Sequence, residues 1–275
     1  MAQLSLNRAG KTTDIHYSDQ GSGKPVVLIH GWPLSHTSWE NQIPALVDAG
    51  YRVVAYDRRG FGDSTTGDSY DYDTLASDLD ALLSELDLHD VTLVGFSMGG
   101  GEVIRYVTNH GTDRVSKLAL VASIVPLVKQ KSDNPDGVPQ EDLDEILEAV
   151  KSDRIAFLKD FHKQFYNADK NPDAVSEAQL STDLAVSSAA DATATVEAAK
   201  AWMDTDFRAE SEAITLPTLI VHGKADQTVP ITTSAEQAAK LISNSELKVY
   251  EDAPHGLNVT HAEKLNSDLI AFLGK

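Results

Sequence analysis

Six short apolar runs punctuate the chain: Val26–His30, Arg52–Tyr56, Val91–Val94, Lys117–Ala122, Pro217–His222 and Glu246–Tyr250. Most are rich in Val, Ile, Leu or Ala and lack the strict polar alternation of a strand with one wet face, so they read as strands buried on both sides. Between them lie stretches with apolar residues at helical spacing: Ser38–Ala49, Tyr72–Leu88, Glu102–His110, Thr232–Ile242 and Thr260–Leu273. Strands alternating with helices predict an α/β architecture, a mostly parallel sheet covered by helices on both faces. The alternation stops between Pro126 and about Arg208. There Asp142–Val150, Asp153–Phe165, Val175–Ser187 and Ala192–Met203 read as helices with no strand among them. We therefore expect a core built from residues 1–125 and 209–275, and an inserted helical cap over 126–208, entered through the turn-rich Lys131–Pro139.

Composition narrows the picture. The 275 residues suit one core domain with an insertion. Acidic residues number 42 against 23 basic ones, a formal charge of −19, so a nucleic-acid partner is not expected, since phosphates would be repelled. Part of the excess is local: residues 131–153 hold eight acids and two lysines. A solvated acidic surface and adaptation to high salt both account for it. No apolar run reaches eighteen residues, so no membrane helix is expected. The N-terminus lacks the basic-then-apolar pattern of a signal peptide. The chain has no cysteine, which removes disulfides and thiolate metal sites. Together these fit a cytoplasmic protein. No H-E-x-x-H or other ligand motif appears, and we expect neither metal nor other cofactor.

One motif carries chemistry. The run Val91-Thr92-Leu93-Val94 leads into Gly95-Phe96-Ser97-Met98-Gly99-Gly100-Gly101, a strand, then G-x-S-x-G, then the start of a helix. This is the pattern of a nucleophile elbow. A serine in so sharp a turn sits in strained backbone, so its close neighbours must lack side chains, and the helix N-terminus beside it favours developing negative charge. Serine needs a base, and the base needs an orienting acid. Of the nine histidines, His255 lies late in the chain, in the turn Asp252-Ala253-Pro254-His255-Gly256, where the base belongs in the order Ser, acid, His. His222 ends a strand and reads as structural, His261 as a surface residue at the last helix, and His30 precedes the elbow. His16, His36, His89, His110 and His162 carry no motif and are expected to be solvated or satisfied by local hydrogen bonds. Asp226 follows the strand Thr218–Val221, on the edge where open α/β sheets place their sites. The rival strand end, Ala122-Ser123-Ile124-Val125-Pro126, has no carboxylate. Two backbone donors are needed for an oxyanion. Met98, directly after the nucleophile, supplies one, and Trp32, in the loop after Val26–Ile29, the other.

His30-Gly31-Trp32-Pro33, Tyr56-Asp57-Arg58-Arg59-Gly60-Phe61-Gly62, the elbow, and Ala253-Pro254-His255-Gly256 resemble the cofactor-free bacterial haloperoxidases of the α/β-hydrolase superfamily. These are also called perhydrolases and overlap with arylesterases. The resemblance runs from about residue 12 to 273. It implies an α/β-hydrolase fold and a serine esterase for short acyl and aryl esters, with promiscuous peracid formation from hydrogen peroxide, and a homo-oligomer. Val128, Phe161, Phe165, Tyr166 and Trp202 are candidate pocket walls, each equally readable as cap core; the resemblance favours Val128 and Phe161, and Thr228 joins them as a substrate contact. Pro33 has no N–H and a fixed φ. It can also make a cis bond at modest cost. It is expected to set the Trp32 carbonyl that peroxide would meet, the alternative being a proline that only stiffens the loop. Serine at position 97 argues against a haloalkane dehalogenase or an epoxide hydrolase. A carbon–carbon bond hydrolase, a thioesterase and a non-catalytic ligand-binding relative stay open.

Overall fold

The computed structural model describes residues 2–8 and 10–275. Eight strands form one sheet: β1 (Ala2–Arg8), β2 (Lys11–Gly21), β3 (Pro25–Ile29), β4 (Arg52–Tyr56), β5 (Val91–Phe96), β6 (Val115–Val121), β7 (Thr218–Gly223) and β8 (Ser245–Tyr250). Their order is β1-β2-β4-β3-β5-β6-β7-β8. β2 runs antiparallel to both its neighbours, and every other pairing is parallel. This is the expected α/β architecture with a hairpin added at one edge. The hairpin has no unbroken apolar run to announce it: Thr13, Ile15 and Tyr17 of β2, and Leu4 and Leu6 of β1, turn inward at every second position between more exposed polar residues.

The central strands show why they read as continuous apolar runs. Val27 and Ile29 of β3 join one core cluster, while Val26 and Leu28 join the other on the opposite face. With a side-chain period of two, a strand covered on both faces needs apolar residues at every position. The first face packs on α2 (Tyr72–Glu85), α3 (Met98–His110) and α9 (Ala235–Leu241), and the second on α1 (Ile43–Asp48) and α11 (Ala262–Leu273). Local chemistry sets the helix ends. Asp71 accepts a hydrogen bond from the Thr74 N–H at 2.7 Å and so caps α2, with Asp73 in the first turn where the helix dipole favours an acid.

Between β6 and β7 the chain leaves the sheet. It forms α4 (Gln140–Ser152), α5 (Arg154–Phe165), α6 (Glu177–Ala189) and α7 (Ala192–Asp204), then the short α8 (Arg208–Ala213). The four-residue α10 (Leu257–Thr260) precedes α11. No helix among the described residues is long and apolar enough to cross a membrane.

Candidate active site

β5 ends at Phe96 and α3 begins at Met98, so Ser97 makes the whole turn between them. Its φ is 54° and ψ −118°, a left-handed conformation that a non-glycine residue keeps only when its surroundings enforce it. They do so by crowding. A Cβ on Gly95 would lie 2.4 Å from the Gly99 carbonyl oxygen, and one on Gly99 would lie 2.5 Å from the Ile29 oxygen. The glycines let α3 close onto the strand ends, which lifts the Ser97 hydroxyl to the carboxyl edge of the sheet.

His255 and Asp226 arrive on two other loops of the same edge. His255 Nε2 is 3.0 Å from Ser97 Oγ, and His255 Nδ1 is 2.7 Å from Asp226 Oδ2. All three side chains are buried. Nδ1 donates to the carboxylate, leaving Nε2 as the acceptor that a serine proton needs. Phe96 and Phe165 flank the imidazole, the latter edge-on with ring centroids 4.9 Å apart. The Gly256 N–H donates to the Phe165 carbonyl and ties the histidine loop to α5.

Asp226 is held from several sides. Its Oδ1 accepts the backbone N–H groups of Thr228 and Val229 at 2.9 and 2.7 Å. His222 Nε2 lies 3.2 Å from Oδ2 and 2.8 Å from the Val229 carbonyl. Burial alone would raise the carboxyl's pKa, but the charge and hydrogen bonds of His255 and the bond from His222 hold it well below the usual range. It is therefore ionised at any working pH. His222 is the penultimate residue of β7, and its position beside the acid is something the sequence does not announce.

Met98 opens α3, where first-turn N–H groups have no partner inside the helix. Trp32 sits in the loop after β3. Its indole Nε1 donates to the Thr195 carbonyl of α7 at 2.9 Å, and its ring contacts Phe157, Phe161 and Trp202. These rings line a cavity of about 480 Å³ together with Ile146, Gln164 and Thr228. Of the expected wall residues, Phe161, Trp202 and Thr228 line it. Val128, which like Phe161 and Trp202 is partly buried against the first core cluster, does not line this cavity, and neither does Pro33, which is buried and joined to Trp32 by a cis bond. Phe165 sits against His255, and Tyr166 donates its hydroxyl to Asp183 at 2.6 Å. Phe157, Ile146 and Gln164 are cavity residues that the sequence does not single out, although Phe157 and Phe161, four apart on α5, mark an apolar helix face. His162 also departs from expectation: it is buried, and its partner Ser187 is distant in sequence.

A family model described as alpha/beta hydrolase fold matches residues 24–262. The chain is 44% identical to a non-heme chloroperoxidase of Kitasatospora aureofaciens, over 95% of this chain and 96% of that protein. It is 37% identical to a bifunctional esterase/perhydrolase of Acinetobacter calcoaceticus, over 94% and 96%. The crystal structure of a bromoperoxidase from Bacillus anthracis superposes with a TM-score of 0.96 at 44% identity, covering 100% of both chains.

Proposed function

The chain belongs to the α/β-hydrolase family, among its non-heme haloperoxidases and perhydrolases, and from that premise we propose that it is a serine esterase acting on short-chain acyl and aryl esters, with hydrogen peroxide as a second acceptor. The observation that carries this reading is the continuous hydrogen-bonded path from Ser97 through His255 to Asp226.

Ser97 Oγ attacks the ester carbonyl carbon while His255 Nε2 takes its proton. The carbonyl oxygen becomes an oxyanion, received by the N–H groups of Trp32 and Met98. As the intermediate collapses, the bond to the alcohol oxygen breaks and His255 returns the proton to it, leaving acyl-Ser97. Water, deprotonated by His255, then attacks the acyl carbon and releases the acid. Hydrogen peroxide attacking in its place releases the peracid. The peracid oxidises halide in solution to hypohalite and itself returns to the acid, so halogenation needs no metal at this site. Residues 126–208 serve as the cap over the elbow. The cavity under α4, α5 and α7 takes the acyl or aryl group, and its aromatic rings favour flat apolar substituents.

The test is a hydrolysis panel of aryl and alkyl esters from acetyl to octanoyl, with and without peroxide, run on the native chain and on Ser97→Ala. Turnover of short esters, and peracid when peroxide is present, is expected from the native chain alone. Retention of a tenth of the turnover by a folded Ser97→Ala chain would overturn the reading.

A further inference from the structure

The two N–H groups assigned to the oxyanion stand on separate elements. The pairing of β3 with β5 ends, among the described residues, at Ile29 and Gly95. Trp32 and Met98 each lie three residues beyond that last pair. The spacing of the two donors is therefore not set by the sheet's own hydrogen bonds.

A buried side-chain bridge spans the gap. Arg58, just past the end of β4, donates from Nε to Glu102 Oε2 at 3.0 Å and from Nη2 to the His30 carbonyl at 2.9 Å. Glu102 lies in α3, one helical turn after Met98. His30 is two residues before Trp32. The guanidinium fork thus holds the helix that carries one donor and the loop that carries the other. The rest of the network locks the fork. The Tyr56 hydroxyl donates to Glu102 Oε1, and the Arg58 backbone N–H donates to His30 Nε2 at 3.0 Å. The opposite ring nitrogen of His30 lies 2.8 Å from the Gly31 carbonyl and so donates to it, which makes the imidazole neutral. Arg58, Glu102, Tyr56 and His30 are all buried. A Cβ placed on Gly99 would lie 3.0 Å from the His30 oxygen, so the start of α3 passes close to the carbonyl that Arg58 grips.

We infer that Arg58 is a positioning residue that fixes the separation of the Trp32 and Met98 N–H groups, acting through Glu102 and the His30 carbonyl without touching substrate. The inference rests on the acyl-enzyme reading above. Removing one oxyanion donor outright costs on the order of 10²–10³ in turnover, and a misplacement of about 1 Å is of similar weight. Loosening the bridge should therefore lower turnover by about ten- to a hundredfold.

The experiment compares Arg58→Lys, which keeps the charge but lacks the fork that reaches two acceptors, with the pair Arg58→Met and Glu102→Leu, which leaves no orphaned buried charge. Lysine retains the ion pair, so at least that variant is expected to fold. With an aryl acetate, kcat should fall by the factor above while KM stays within about threefold. Affinity for an arylboronic acid, which forms a tetrahedral adduct on Ser97, should fall in parallel with kcat. The acid limb of the pH–rate profile should stay in place, because His255 and Asp226 are untouched. A purely structural role would lower the melting temperature and leave kcat per active site and boronate affinity unchanged, and that result would overturn the inference. If Ser97→Ala is inactive while the Arg58 variants keep full turnover, only this inference fails; if Ser97→Ala is active, the esterase reading fails with it.

Discussion

The strand-end loops and the helical excursion between β6 and β7 differ in how much charge they bury and bind. At the strand ends, charged and polar groups are buried and tied to one another: Arg58 to Glu102 and His30, Arg59 to Asp78 through two bonds of 2.6 and 2.7 Å, and Asp226 to His255, His222 and two backbone N–H groups. In the excursion, ion pairs such as Lys151–Glu148 and Lys163–Asp160 lie at the surface, and the inward face is aromatic. Its buried polar pairs, Tyr166 with Asp183 and His162 with Ser187, are isolated from one another, with no buried arginine among them. Directional bonds fix geometry to a fraction of an ångström, whereas apolar contacts tolerate exchange of one side chain for another of similar volume. The first region is suited to chemistry and the second to choosing what the chemistry meets.

The widest contrast should come from the loops. Ser97→Ala is expected to lower esterase turnover by about 10⁵- to 10⁶-fold, and Asp226→Asn by about 10⁴-fold, with the melting temperature of Ser97→Ala nearly unchanged. Stopped assays with an aryl acetate on purified, folded variants decide this. A loss below about a hundredfold in either variant would blur the distinction between the regions.

Acid should find a weakness in both. Burial lowers His162 to about 4; burial and then Arg58 lower His30 to about 3. An unfolded histidine binds its proton near 6.5, so between about pH 6.5 and 4 the unfolded chain holds more protons than the folded one. The stability conferred by the neutral rings is complete above that window and declines through it as pH falls. For His162 the decline amounts to roughly 3 kcal/mol by pH 4. His162→Leu should flatten the fall of melting temperature across this range, and an unaltered slope would assign the acid sensitivity elsewhere.

Effects in the excursion should be smaller and selective. Phe161→Ala enlarges the cavity and should raise the kcat/KM of octanoyl over acetyl esters by about tenfold, with modest change in acetate turnover. A collapse of all turnover would show that α5 belongs with the chemistry. The smallest effect concerns Pro33. We propose that the backbone it imposes orients the Trp32 carbonyl toward peroxide. Pro33→Leu should then lower the peracid-to-hydrolysis ratio by a few-fold on one acetate ester, and an unchanged ratio would remove Pro33 from the choice of acceptor.

How much of this is legible in the chain itself follows the same divide. The central strands are readable because burial on both faces forces unbroken apolar runs, and the elbow because its crowding admits few residue types. Asp226 and His255 are readable from their places just past strands in the order the motif prescribes. The Arg58–Glu102 bridge is not, since it joins residues 44 positions apart whose neighbours give no periodic signal. Val128 is hard to read for a related reason: an apolar residue in an irregular stretch looks the same whether it faces a cavity or a core. The β1–β2 hairpin alternates polar and apolar residues, as in Gln3-Leu4-Ser5-Leu6 and Asp14-Ile15-His16-Tyr17, and it escapes notice because it lacks the unbroken apolar runs that mark strands covered on both faces.

The glycine-packed elbow has a consequence for how such a protein can change over generations. A methyl group on Gly95, Gly99 or Gly100 would overlap backbone or the Ser123 side chain, with closest approaches of 2.4, 2.5 and 2.0 Å. At Gly95 and Gly99 the obstruction is backbone, so no graded series of substitutions leads away from them, whereas at Gly100 it is the side chain of Ser123. Under the proposed esterase reading, inheritance can alter which esters are accepted by rewriting α4, α5 and α7 one residue at a time, while the turn that carries Ser97 resists change at Gly95 and Gly99.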